Sequence, residues 1–204
     1  MRRIAFLLTA AGFLLTACGS KVPAESGTEQ AKNHAELKKS GDGYSFYSKT
    51  LNREISVSTQ DGVSEEYVRR CADDLENMSD ALFADICEGA KQYCLWSIEM
   101  EKDALGEEYA ETDAYHKVTE DTPAAEMRPL FDLYDMYIYV PDDENIAAYT
   151  LSRWCDWEVE HGIAVIIKGG ALLYVDSSSA FSPWEPAYYT EGEGRAWNYA
   201  RKGE

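Results

Sequence analysis

Three side chains that could do chemistry stand close together at Glu158, Glu160 and His161. On a β-strand, residues i and i+2 face the same side about 7 Å apart. Two carboxylates at that separation suit a pair of metal ligands or an acid–base pair. His161 would add an imidazole at the end of the strand. One hypothesis is therefore a metal-dependent hydrolase that uses these three residues.

The same residues also fit a turn between two strands. Gly162 can adopt a positive φ, and the imidazole of His161 can hydrogen-bond a carbonyl of the turn. A metal site would need a third ligand from elsewhere, and the sequence has no His-Glu-x-x-His helix, Gly-x-Ser-x-Gly elbow or Gly-rich phosphate loop. Catalytic groups normally come with convergent partners. We therefore favour the turn and predict no catalytic residue, no metal and no cofactor.

Alternating apolar and polar residues predict the strands around this turn. Residues 163–168 and 171–175 are almost wholly apolar, which is typical of strands covered on both faces. Gly169 and Gly170 between them indicate a two-residue hairpin. One face of the preceding strand carries Tyr149, Leu151, Cys155, Trp157 and Val159. Further strands are predicted at residues 44–46, 55–57 and 134–140.

Two helices are predicted between the early and the late strands. Ser64 is a suitable N-cap, and Glu65 and Glu66 in the first turn complement the helix dipole. Ser79 is a second N-cap, and its helix runs to about Ser97. Both helices have a plain hydrocarbon face. We therefore predict the α+β class, with an antiparallel sheet of hairpins and two helices packed on one face.

The turn and the strands after it resemble a known kind of domain. A Trp-Glu-x-Glu-His-Gly motif leads into an apolar strand, a Gly hairpin, Leu-Tyr-Val and Ser-Pro-Trp. In this respect the chain is similar to uncharacterised bacterial domains of unknown function, which occur in cytoplasmic proteins and in lipoproteins. The resemblance spans roughly residues 51–200 and implies no catalytic residues. The matching residues are Trp157, Glu158, Glu160, His161, Gly162, Leu173, Tyr174, Val175, Ser182, Pro183 and Trp184.

The first residues have the pattern of an export signal. Arg2 and Arg3 precede an uncharged apolar run at residues 4–15, which is too short to span a bilayer. The run ends in Leu-Thr-Ala-Cys at Cys18, which resembles the lipobox of bacterial lipoproteins. That resemblance implies a diacylglycerol on the thiol of Cys18. The alternative is an ordinary secretory signal with an incidental cysteine.

Lipidation would place the protein outside the cytoplasm. Acyl chains such as palmitate on Cys18 would anchor it to the cell membrane or the outer membrane without a spanning helix. Residues 19–43 are polar, lack aromatic side chains and bury too little apolar surface to offset their ordering entropy. We therefore predict a signal peptide at 1–17, a lipidated cysteine with a flexible tether at 18–43, and a single α+β domain at 44–204.

The charge of the chain restricts its partners. The formal net charge is −18, and it becomes −20 without Arg2 and Arg3. A domain this acidic repels phosphate backbones, which excludes nucleic acid as a partner. A basic protein partner fits the charge, although the charge also keeps an exported protein soluble.

Four cysteines remain after Cys18, and their number is even. Outside the cytoplasm an even number can form disulfides, and no Cys-x-x-Cys zinc spacing is present. About 160 residues can bury a core without such cross-links. A disulfide and free buried thiols therefore both stay open. The disulfide to test joins Cys155 to one of Cys71, Cys87 and Cys94.

The residues after Trp184 are rich in aromatic side chains. Such a segment can form a recognition surface, including one that stacks on sugars, but more often it folds back over the sheet. The aromatic residues concerned are Tyr188, Tyr189, Trp197 and Tyr199.

Taken together, these patterns predict a lipid-anchored, extracytoplasmic module that binds a partner and has no catalytic activity. The rivals are the metal-dependent hydrolase described above and an immunity-type inhibitor that binds a basic toxin. A partner surface at the turn would be formed by Trp157, Glu158, Glu160, His161 and Trp184.

Overall fold

The computed structural model describes residues 33–106, 117–177, 181–190 and 198. Seven strands form one sheet in the order β1 to β7. The strands are β1 (Lys38–Ser40), β2 (Gly43–Ser48), β3 (Arg53–Thr59), β4 (Phe131–Ile138), β5 (Ala148–Cys155), β6 (Ile163–Lys168) and β7 (Ala171–Asp176). The helices are α1 (Glu65–Glu76), α2 (Asp80–Leu105) and the short α3 (Ala187–Thr190), and a 3₁₀ helix spans Ala124–Leu130.

The sheet is mostly antiparallel, which confirms the predicted α+β class. Five of the six strand pairs are antiparallel, and β3 pairs with β4 in parallel. A parallel pair needs a crossover connection, and the chain between β3 and β4 includes α1 and α2. Val57 lies opposite Met136 in this pair. The carboxyl ends of β3 and β4 therefore meet at the same edge of the sheet.

Both long helices begin where the sequence predicts. The side chain of Ser64 accepts a hydrogen bond from Tyr67 N at 3.2 Å, and that of Ser79 accepts one from Leu82 N at 3.1 Å. Each bond satisfies a backbone N–H that has no partner inside the helix. α2 continues beyond the predicted end near Ser97, because no glycine or proline lies between Ser97 and Gly106.

The core lies between the inner face of the sheet and the two long helices. α1 and α2 bury one apolar face each, as the helical spacing predicts. A Cβ on Gly89 would lie 2.7 Å from Cγ2 of Val175, so α2 crosses β7 at close range. The helical contribution to the core includes Val68, Ala72, Leu75, Ile86, Ala90 and Tyr93.

Residues 181–190 cover part of the outer face of β6 and β7, so β6 is buried on both faces as predicted, whereas β7 is buried only from Tyr174 to Asp176. Ile166, Tyr174 and Tyr189 form a second apolar cluster there. The side chain of Asn198 accepts a hydrogen bond from Val175 N at 3.3 Å and donates one to Leu173 O at 2.7 Å. These bonds occupy backbone groups at the edge of β7 that could otherwise pair with another strand. Trp197 and Tyr199 lie outside the described residues.

Two expectations about element boundaries need correction. β5 ends at Cys155, so Glu158 and Glu160 do not share a strand face, and Val159 is 74% exposed instead of inward-facing. At the other end of the domain, β1 lies within the segment that we expected to be a flexible tether. Its pairing with β2 supplies the backbone bonds that composition alone does not reveal. Among the described residues, no helix is long and apolar enough to cross a membrane.

Candidate functional site

The Glu158–His161 region forms a turn whose main contacts are local. Oε1 of Glu158 accepts hydrogen bonds from Glu160 N at 3.1 Å and His161 N at 3.3 Å. The same oxygen lies 3.4 Å from Nδ1 of His161, while Glu160 points into solvent. Gly162 N donates to Glu158 O at 2.9 Å and closes the turn. The carboxylate of Glu158 therefore binds the backbone of its own turn, and the imidazole of His161 lies near this carboxylate, where the turn hypothesis had it near a turn carbonyl.

The two tryptophans that we grouped with this turn lie in different parts of the domain. Trp157 is buried, with edge-on ring contacts to Tyr93 at 5.7 Å and Phe131 at 6.4 Å. Trp184 lies under the ammonium of Lys168, 3.9 Å from its ring centre. Because Lys168 ends the strand that begins just after the turn, the structure does not bring Trp184 to the turn. Within the described part of the chain, no three His, Cys, Asp or Glu side chains are grouped to hold a metal.

The four described cysteines are free, buried thiols, in contrast to the disulfide that we considered for Cys155. Cys155 Sγ contacts Glu158 O at 3.5 Å, and Cys71 Sγ contacts Ala148 O at 3.7 Å. Burial raises the pKa of Cys71, Cys94 and Cys155 to about 12. Because the thiolate is the reactive form, these groups are poor nucleophiles in the folded protein.

A thiol titration tests this arrangement. In a Cys18→Ser variant we expect Ellman's reagent to react slowly with the folded protein, and with all four described cysteines after unfolding without reductant. Fewer than four reactive thiols in the unfolded chain would instead show a disulfide. Unfolding with reductant provides the reference count.

A charged cleft of about 570 Å³ lies along α1. One wall is a stripe of the helix, Glu66, Arg69, Arg70, Asp73, Asp74 and Asn77. The other wall is formed by the turns after β4 and β6, Asn145, Ile146, Ala147 and Gly169. The sequence patterns described above did not reveal this site, because they concern only the apolar face of α1. The available signal was the dense run of mixed charges at helical spacing on the opposite face.

Two buried tyrosines hold the walls of the cleft in place. Tyr67 donates a hydrogen bond to Ile146 O at 2.9 Å and accepts one from Ala148 N at 3.1 Å. Tyr149, which is fully buried, donates to Oδ2 of Asp74 at 3.1 Å. Burial raises the pKa of Asp74, and the bond from Tyr149 partly offsets that rise. The helix and the turn after β4 are thus fixed to each other by side-chain bonds.

Removal of the Tyr67 hydroxyl should loosen this junction. We expect Tyr67→Phe to lower the free energy of unfolding by about 2 kcal/mol, because a buried N–H and a part-buried C=O lose their partner together. Urea unfolding followed by circular dichroism measures the change. The matched control is Tyr47→Phe, whose hydroxyl bonds Asn52 at the surface and which should cost less than about 0.5 kcal/mol. Equal losses in both variants would contradict the assignment.

The segment before β1 is hydrogen-bonded to α1, the helix that lines the cleft. Asn33 and Asn77 exchange two hydrogen bonds, N to Oδ1 at 3.0 Å and Nδ2 to O at 2.8 Å. His34 Nδ1 lies 2.8 Å from Oδ2 of Asp73, whose other oxygen accepts Ala35 N at 2.8 Å. The chain therefore reaches the sheet along the C-terminal half of α1, at the rim of the cleft.

The architecture defines the protein as an α+β domain with a mixed-charge cleft. Residues 30–182, three-quarters of the chain, match the model of the family described as a domain of unknown function (DUF6985). The chain therefore belongs to this family, and the resemblance seen in the sequence is confirmed at that level. No curated protein and no solved structure matches the chain.

Proposed function

We propose that this protein is a non-catalytic binding module, held outside the cytoplasm by a lipid on Cys18, and that the cleft along α1 is its binding site. The observation that supports it most directly is the cleft itself, with fixed walls and ionic side chains. Binding sites are generally concave and largely preformed. The hydrogen bonds of Tyr67 and Tyr149 provide such preformation.

The lining of the cleft favours a polar partner. Five of its ten lining residues are charged and two more are asparagines. Pockets for drug-sized ligands are mostly lined by apolar and aromatic side chains, which is a different composition. Exposed ionic groups on a helix, which face uncharged residues of two turns, resemble the rim of a protein–protein interface. The cleft thus fits a segment of another polypeptide.

Photo-crosslinking in growing cells tests the binding site. A photoreactive amino acid in place of Arg69, on the cleft wall, should link the protein to a defined partner. The same amino acid in place of Asp85, which is exposed on α2, should not. Equal labelling from both positions, or none from Arg69, would contradict binding at the cleft.

The anchor needs its own experiment, because residues 1–32 lie outside the described residues. Cys18→Ser should move the protein from the membrane fraction to the soluble fraction and abolish incorporation of labelled palmitate. A Cys71→Ser variant is the matched control and should remain in the membrane fraction. If both variants stay with the membrane, Cys18 is not the site of attachment.

A further inference from the structure

The cations of the cleft already have acidic neighbours. Arg69 lies 3.4 Å from Glu65. The hydrogen bonds from Asn145 lower the pKa of Asp143, and the nearby charge of Arg70 lowers it further. Arg69 is thus paired within α1, and Arg70 lies near enough to Asp143 to lower the pKa of that carboxyl group.

The acids of the cleft are not all compensated in this way. Asp73 pairs with His34 at 2.8 Å. Asp74 and Glu66 have no ion-pair partner among the described residues, and the only side-chain bond to Asp74 within that part of the chain is the neutral hydroxyl of Tyr149. Asp74 is also half-buried, so water screens its charge incompletely. An uncompensated carboxylate on the wall of a cleft is a site for a cation.

The cleft also has an apolar side chain on the wall opposite this carboxylate. Ile146 lines that wall and is 37% exposed, so part of its apolar surface is accessible from the cleft. Lysine and arginine carry methylene stems that pack on apolar surface while their charged ends reach a polar group. The combination of Asp74 and Ile146 matches both parts of such a side chain.

The surroundings of the cleft have the same sign of charge. The turn after β4 exposes Asp142 and Glu144, next to the Asn145 that lines the cleft. With a net charge of −18 on the whole chain, the field around the protein attracts cations. Such a field raises the rate at which a basic partner associates.

We infer that the cleft binds a basic side chain of a polypeptide partner, with Asp74 receiving its ammonium or guanidinium group and Ile146 contacting its stem. This inference rests on the proposed function, since it names the chemistry of the partner at the same cleft. Asp74 is thus the principal specificity residue, and Glu66 adds a second carboxylate at the rim.

Calorimetric titration of the full-length protein with a lysine-rich peptide of blocked termini tests the inference. The same peptide with norleucine at each lysine is the neutral control. We expect the lysine peptide to bind and the norleucine peptide not to bind. Asp74→Asn should weaken binding roughly tenfold, because a charge-assisted bond is lost while an oxygen remains to accept the Tyr149 hydroxyl.

Asp85→Asn is the matched control, since it removes the same charge from a distant exposed position, and its Kd should equal that of the wild type. Glu66→Gln is a second test at an exposed position, where folding is not at risk, and it should weaken binding severalfold. Equal affinities of the wild type, Asp74→Asn and Glu66→Gln would overturn the inference, as would equal binding of the norleucine peptide or no binding of the lysine peptide. Crosslinking from position 69 in such a case would leave the proposed function standing.

Discussion

We expect Gly162→Ala to lower the free energy of unfolding by about 3 kcal/mol or more. Gly162 has a φ of +67°, which costs other residues about 1–2 kcal/mol. A Cβ there would also lie 1.8 Å from Arg153 O and 3.0 Å from Arg153 C. Because these are backbone atoms, the turn would have to move away from β5. Ile163, the next residue, pairs with Arg153, so the start of the β5–β6 ladder would be lost.

Gly170→Ala separates the steric clash from the backbone strain. Gly170 has a φ of +73°, and a Cβ there has no atom within 4 Å. We therefore expect it to cost only about 1 kcal/mol. Urea unfolding of both variants and the wild type gives the two values. Similar losses for the two glycines would show that the contact with Arg153 is relieved at no cost.

The second large effect concerns the buried carboxyl group of Asp176 at the end of β7. Burial raises its pKa to about 6, and hydrogen bonds from Ser177 and Tyr174 partly offset that rise. In the unfolded chain the carboxyl ionises near the ordinary aspartate pKa of 3.8. Between these two values, the folded protein holds a proton that the unfolded chain releases. The free energy of unfolding therefore falls as the pH rises from about 4 to about 6, and then levels off.

Asp176→Asn should remove this fall in the free energy of unfolding between about pH 4 and pH 6. The pKa difference corresponds to about 3 kcal/mol, to order of magnitude, so the variant should be more stable than the wild type by up to this amount at pH 8. At pH 3 the neutral carboxyl and the amide should behave alike. The amide oxygen can still accept the bond from Ser177 N, which is 2.5 Å long in the wild type.

Urea unfolding across this pH range, at constant ionic strength, provides the measurement. Asp85→Asn is the control for the removal of one negative charge from a very acidic chain. It should leave the shape of the stability curve unchanged between pH 4 and pH 6. An Asp176→Asn curve parallel to that of the wild type would contradict the assignment, because the slope would then come from other groups.

Local chemistry explains why much of the fold was predictable. The caps at Ser64 and Ser79 depend on a side chain and a backbone N–H three residues away, so neighbours in sequence determine them. The Gly169-Gly170 hairpin depends on two adjacent residues with positive φ.

Most of the structural features that the sequence did not predict depend on contacts between distant residues. The bond between Asp74 and Tyr149 joins positions 75 apart, and no local pattern marks it. The parallel pairing of β3 with β4 depends on how two helices pack, since strand patterns are the same for either direction. The strand at Lys38–Ser40 is a different case: it pairs with β2 only a few residues further along the chain, and it was missed because it lacks an apolar pattern of its own.

The candidate site likewise has one part that the sequence predicted and one part that depends on tertiary packing. The sequence located the Glu158–His161 cluster and offered a metal site or a turn, and the hydrogen bonds of Glu158 to its own backbone correspond to the turn. The cleft involves three separate stretches, on α1 and on the turns after β4 and β6. Only their packing brings them to one place.

The sequence by itself therefore determined the α+β class, the helix starts, the late hairpin and the acidic character of this protein. These features follow from periodicity, capping and composition, which act over a few residues. The tertiary structure decided the parallel strand pair, the free thiols, the hydrogen bonds of Glu158 and the position of the cleft beside Asp74. Each of these depends on atoms that are distant in sequence or on the direction of a side chain, and neither is encoded in a local pattern.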